Sequence, residues 1–176
     1  MKIKNNPVQY FVEGETEKAF IEQIKNQYVL SGKINVINIL QNEIKNSRLI
    51  SIKPNTTIIL IFDTDVQEKE LLNRLAQNIK ILKASKHIKE VVVIPQVLNF
   101  EDELVYATNI KSIEKFIPKC TRKEFKGKFI KLGSSMVAML EKQDFNADKL
   151  WSRSVNNGNI FYIINKDEIM SAKIKI

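Results

Sequence analysis

The run Thr56 to Phe62, TTIILIF, is apolar or β-branched at every position and stops abruptly at Asp63-Thr64-Asp65. Such a run suits a strand covered on both faces, as in a parallel sheet packed between helices. A second run, Val8 to Val12 (VQYFV), follows Pro7 and ends at Glu13-Gly14, where the pattern turns helical. If these strands lie parallel and adjacent, Glu13, Glu17, Asp63 and Asp65 share one edge of the sheet, where open α/β proteins place their sites.

The rest of the first 110 residues fits this frame. Gly14 permits a tight turn, and Phe20, Ile21, Ile24 and Tyr28 then recur at helical spacing. Glu15 and Glu17 fall in the first turn, where the dipole favours them, and Ser31-Gly32 is the stop signal. Ile34 to Leu40 (INVINIL) is expected to form a second strand, with a short helix around Ile44 to Leu49 and a turn at Lys53-Pro54-Asn55. Leu71, Leu72, Leu75, Ile79 and Leu82 mark the apolar face of a long crossover helix. Val91 to Ile94 is a fourth strand, cut off by Pro95. Asn99 is placed to cap a helix that carries Glu101, Asp102 and Glu103 in its first turn and Phe100 and Leu104 on its buried side. The expected architecture is α/β: a Rossmann-like, four-stranded parallel sheet flanked by helices and joined by right-handed crossovers.

Charge divides the chain. Residues 1–110 hold 14 Lys+Arg against 13 Asp+Glu, whereas residues 111–176 hold 14 against 7, so nearly all of the +8 net charge is C-terminal. The expected organisation is a core over 1–110 and a basic, mostly helical extension over 111–176 packed on it. Short helices are expected at Ser134 to Glu141 and Asn146 to Trp151, and loop chemistry at residues 154–159. Phe161 to Ile164 fits either a small strand or a helix face. A basic surface beside clustered carboxylates suits a polyanion held over metal ions, although lysines that serve only solubility account for the same charge. The single cysteine, Cys120, excludes an intrachain disulfide. Neither a secretory signal nor a membrane-length apolar run is present, so a cytoplasmic protein is expected.

The acidic residues carry the chemistry. Asp63 and Asp65, one residue apart, point the same way along an extended chain. Hard divalent cations take oxygen ligands, and Mg²⁺ is usually held by a few carboxylates together with substrate phosphate. Convergent carboxylates repel and raise one another's pKa, a cost that a divalent ion relieves. Taken singly, Glu15 and Glu17 are explained by the helix dipole and Asp63-Thr64-Asp65 by a strand-to-helix turn. Both acidic pairs, each after a buried strand, together indicate a site. Lys126, Lys128 and Lys131 lie beside Phe125 and Phe129, a mixture suited to a nucleic-acid backbone and unstacked bases. Phe125, Phe129 and Leu132 also repeat at helical spacing as a core face would, which leaves the lysines exposed. His87 has no partner at ligand spacing, Cys120 reads as a small inert residue and Trp151 as a packing anchor.

Glu-Gly closing a first apolar strand and Asp-x-Asp closing a later one resembles the Toprim domain of topoisomerases, bacterial primases, recombination-repair proteins and the overcoming-lysogenization-defect (OLD) nucleases. The E-G-x-T-E form, Glu13 to Glu17, looks most like the OLD-type and RloB-like branch, and Phe100-Glu101 is similar to the RloB-like pattern. The resemblance covers residues 8–108; the tryptophan-rich helix that follows Phe-Glu in the RloB-like group is absent here. It implies a Toprim fold and Mg²⁺ or Mn²⁺ bound by Glu13, Asp63 and Asp65, with Glu17 and Glu101 as further ligands and Asp102 and Glu103 as rivals to Glu101. It also implies hydrolysis of nucleic-acid phosphodiesters by a two-metal mechanism, with Lys126 or Lys128 neutralising charge, and an ATPase partner in a host or phage defence system.

Two other readings stay open. In one, Asp63-Thr64-Asp65 is the nucleophile signature of a haloacid-dehalogenase-type phosphatase, although that signature normally opens the chain and leaves Glu13-Gly14 unexplained. In the other, the domain is a non-catalytic nucleic-acid or nucleotide-binding module or a regulatory subunit. Nothing in the sequence indicates an oligomeric state.

Overall fold

A computed structural model describes residues 6–66, 68–155 and 174–175. Its centre is a four-stranded, all-parallel sheet of β1 (Val8–Val12), β2 (Lys33–Val36), β3 (Thr56–Asp63) and β4 (Ile88–Gln96) in the spatial order β2-β1-β3-β4. The helices are α1 (Glu15–Ile24), α2 (Asn46–Ile50), α3 (Lys69–Ala84), α4 (Phe100–Tyr106), α5 (Arg122–Lys131) and α6 (Met136–Lys142). The protein is thus α/β with a Rossmann-like parallel sheet flanked by helices. Among the described residues, no helix is long and apolar enough to cross a membrane.

Strand alternation divides the core into two layers. Tyr10, Val12, Ile59, Ile61, Val92 and Ile94 face one layer, with Phe20 of α1, Phe100 of α4, Phe125 and Phe129 of α5 and Met136 and Leu140 of α6. Phe11, Ile58, Leu60, Phe62 and Val93 face the other, with Leu72, Leu75, Ile79 and Leu82 of α3 and residues 37–52. Residues after 110 therefore contribute to the same core as α1 and the sheet.

Several boundaries depart from expectation. The first helix stops at Ile24 rather than near Ser31, because the chain reverses at Asn26 (φ 72°), a residue type that tolerates the left-handed region. Gly32 serves instead for close approach: a Cβ there would meet the Val8 carbonyl at 2.8 Å. The second strand ends at Val36, because the Asn38 carboxamide accepts from the N–H groups of Leu40 and Gln41 and turns the chain. The short helix begins at Asn46 rather than Ile44, whose N–H is held by Asn78. Pro95 does not cut off the fourth strand, which runs to Gln96; β4 is an edge strand, and an edge tolerates the missing N–H. Residues 146–151 form hydrogen-bonded turns around the Asn146 carboxamide rather than a helix. Phe161 to Ile164 and residues 156–159 of the expected loop lie outside the described residues.

Candidate active site

β1 and β3 are parallel neighbours, so Glu13, the residue after Val12, and Asp63, the last of β3, meet at the C-terminal edge of the sheet. Glu13 Oε1 and Asp63 Oδ1 are both buried, and neither has a hydrogen-bond partner. Buried polar atoms are rarely left so. On the adjacent strand Gln96, the register partner of Asp63, is buried too, with its Nε2 also unpartnered.

The carboxyls sense one another. Burial, then Glu17, pushes the Glu13 pKa up to about 7, with Asp65 adding to it and the Asp63 backbone N–H and Lys126 opposing. Burial pushes Asp63 up to about 8, reinforced in order by Glu13, Glu17, Asp65 and Glu101. Burial also raises Glu17, with Glu101 adding and its own N–H and Lys126 opposing. Glu13, Glu17, Asp63, Asp65 and Glu101, all expected from the sequence, are thereby brought within electrostatic reach of one another.

Packing explains why charges from separate helices converge. The rings of Phe20 (α1), Phe100 (α4) and Phe129 (α5) form a triangle with centroids 5.1, 5.6 and 6.3 Å apart. Glu17 lies one turn before Phe20, Lys126 one turn before Phe129, and Glu101 directly after Phe100. The triangle therefore carries all three to the carboxylate edge. Lys126 Nζ stands 3.4 Å from Glu101 Oε1. Burial pulls the lysine pKa down, but Glu101, Glu17 and Asp63 outweigh it and the net shift is upward. Phe125 and Phe129 are fully buried, so the aromatics beside these lysines are core rather than stacking surfaces.

Gly14 has a different role from the turn expected of it. Its backbone is extended (φ −143°, ψ 174°), and a Cβ there would lie 3.0 Å from Glu17 Oε2. Glycine leaves room for the Glu17 carboxylate.

Other candidates are placed elsewhere. Lys128 Nζ donates to the Lys119 carbonyl at 3.0 Å and pairs with Glu124 at 3.3 Å. Glu103 is fully buried: Oε1 accepts from Val97 N–H at 2.8 Å and meets Arg153 Nη2 at 3.1 Å, and Oε2 accepts from Trp151 N–H at 3.1 Å. It brackets the β4–α4 connection to residues 151–153 with both carboxylate oxygens. Asp102 lines a small cavity of about 150 Å³ with Glu101, Lys111 and Arg122. Asn99 caps α4 as expected, accepting from Asp102 N–H at 3.1 Å.

The residues at the edge suit a hard divalent cation: all the acidic donors are oxygens, and two are buried and unsatisfied. Among the described residues, no three Asp, Glu, His or Cys side chains gather closely enough to form a ready metal cage. What the edge offers is Glu13 and Asp63 as the inner pair, with Glu17, Asp65 and Glu101 around them.

Two features had weak or no sequence signals. Asn78 sits inside the apolar stripe of α3, and that misplaced polarity was its only mark. The Arg153–Glu103 pair joins a loop to a helix, and no spacing rule connects them. No family model, curated protein or solved structure matches the chain.

Proposed function

We propose that the protein is a Toprim-type, divalent-metal-dependent nuclease that hydrolyses nucleic-acid phosphodiesters. The observation that carries this reading is the pair of buried, unpartnered carboxylate oxygens on Glu13 and Asp63 at adjacent parallel strand ends. Support for the Toprim assignment is local: Glu13-Gly14 and Asp63-x-Asp65 close neighbouring strands of a parallel sheet, and Phe100-Glu101 opens the helix after the next strand.

Glu13 and Asp63 would hold Mg²⁺ or Mn²⁺, with Asp65, Glu17 and Glu101 completing the acidic surround. When bound, the ion supplies Lewis-acid charge neutralisation and an activated water. The chain's own groups do the rest. The ring triangle fixes Glu17, Glu101 and Lys126, and the lysine ammonium stands beside the carboxylates, ready to move from Glu101 to a substrate phosphate oxygen. The OLD-type and RloB-like resemblance extends the proposal to an ATPase partner in a defence system.

A second reading, a non-catalytic nucleic-acid-binding or regulatory Toprim module, is favoured by the lack of a three-residue metal cage among the described residues. Cleavage of plasmid DNA and single-stranded RNA with Mg²⁺ or Mn²⁺ separates the two, with Asp63→Ala/Asp65→Ala as control. The nuclease reading expects metal-dependent cutting that the double variant lacks. Binding without cutting by wild type would leave the module, and turnover of p-nitrophenyl phosphate lost in the variant would leave the phosphatase.

A further inference from the structure

A cleft of about 680 Å³ opens beside the carboxylate edge, lined on one side by Glu13 and otherwise by the β2 end and the segment that follows it. Its charged and polar lining comprises Asn38, Asn42, Glu43, Lys45, Ser47, Arg48 and Ser51 besides Glu13. This wall is built rather than incidental. The fully buried Asn78 accepts from Ile44 N–H at 2.9 Å and donates to the carbonyls of Ile39 (2.7 Å) and Asn42 (2.8 Å). Ile37, Ile39, Leu40, Ile44 and Ile52 anchor the same segment in the core. Lys45 and Arg48 are exposed and form no ion pair among the described residues.

We propose that this cleft binds the sugar-phosphate backbone of an unpaired nucleic-acid strand, Lys45 and Arg48 contacting phosphates next to the one held at Glu13 and Asp63. The chemistry selects that occupant. Guanidinium, ammonium, carboxamide and hydroxyl groups are the usual contacts to phosphate and sugar, and these position a strand without reading it. No aromatic side chain lines the cleft, so base stacking has no platform there. Its volume is that of a nucleotide-sized ligand site. Glu13 is common to the cleft and the carboxylate edge, so a strand lying in one leads into the other. The proposal deepens the nuclease reading but is tested by binding, which does not require cleavage.

The test is fluorescence anisotropy of a labelled single-stranded oligonucleotide and a duplex of equal length, in EDTA across a salt series. Wild type is compared with Lys45→Ala/Arg48→Ala, with the charge reversal Arg48→Glu, and with Lys80→Ala on α3 as a control outside the cleft. Single-strand binding is expected to weaken about tenfold in the double variant, with a salt slope shallower by about 1.4, the contribution of two phosphate contacts. Arg48→Glu should weaken it too, and Lys80→Ala should bind as wild type. Wild-type affinity in the double variant overturns the cleft even if Asp63→Asn still abolishes cutting. Cleft-dependent binding with no cutting by wild type sustains the cleft and removes the nuclease. Equal dependence for duplex, or displacement of the oligonucleotide by AMP or inorganic phosphate alone, overturns the assignment to an unpaired strand.

Discussion

Glu13 and Asp63 stand at the ends of neighbouring parallel strands, fifty residues apart in sequence, each with one buried carboxylate oxygen that no donor reaches. Burial first, then neighbouring carboxylates, Glu17 for Glu13 and Glu13 for Asp63, push the two pKa values up to about 7 and about 8. The edge is thus unfavourable in its ionised form.

Stability of the metal-free protein should fall as pH rises. Glu13 and Asp63 have folded pKa values above their ordinary 4.5 and 3.8, so between those values and about 7 to 8 the folded chain holds protons that the unfolded chain releases. Their stabilising contribution is complete below pH 4 and lost as pH passes through 7 to 8. Urea midpoints in EDTA from pH 5 to 9 should decline, less so in Asp63→Asn, and Mn²⁺ should restore most of the loss at the alkaline end. A decline of equal slope in Asp63→Asn would assign the effect to other groups.

Asp63→Asn should stabilise the metal-free protein, by about 1 to 3 kcal/mol at pH 8, because it removes a buried charge with an unpaired oxygen. The same substitution should abolish metal-dependent activity. Thermal unfolding in EDTA and a cleavage assay read the two effects separately. A lower melting temperature would mean that Asp63 supports the fold.

Much of this edge was legible because it is local. Acidic residues directly after apolar strands, and a helix cap at Asn99, are patterns within a few residues of one another. Lys126 was legible as a candidate but not separable from Lys128, since only the packing of Phe129 on Phe20 and Phe100 decides which lysine reaches the edge. Glu103 stood as a rival to Glu101 only because it lies two residues on in the same acidic first turn. Its real partners come from residues 97, 151 and 153, and no local pattern reports them. The early end of β2 was hidden because the Asn38 side chain competes with the sheet ladder inside an otherwise strand-like run.

Lys126→Ala and Lys128→Ala should differ. Removing Lys126 takes away the ammonium beside Glu101, and kcat should drop about 10²-fold. Lys128 is spent on Glu124 and the Lys119 carbonyl, so kcat should hold. Single-turnover rates at saturating metal make the comparison, and a reversed order would give the proposed charge-neutralising role to Lys128 instead.

Gly14→Ala should spare the fold and impair the site. The added Cβ meets the end of the Glu17 side chain, which can shift, so the melting temperature should change little while Mn²⁺ affinity falls. Isothermal titration with Mn²⁺ reads this, and unchanged affinity would mean that Glu17 is not near the ion.

Glu103→Ala should behave in the opposite way. It leaves Arg153 and the Val97 and Trp151 N–H groups without their acceptor and should destabilise by about 3 to 5 kcal/mol. Mn²⁺ affinity of the protein that remains folded should persist, whereas a selective loss of metal with normal stability would return Glu103 to the ligand set.

The most direct measurement is the anomalous diffraction of crystals soaked in Mn²⁺. The expected result is a Mn²⁺ peak within coordination distance of carboxylate oxygens from both Glu13 and Asp63, absent in Asp63→Asn. Peaks only elsewhere on the surface, or none at saturating Mn²⁺, would contradict a metal-dependent centre at this edge.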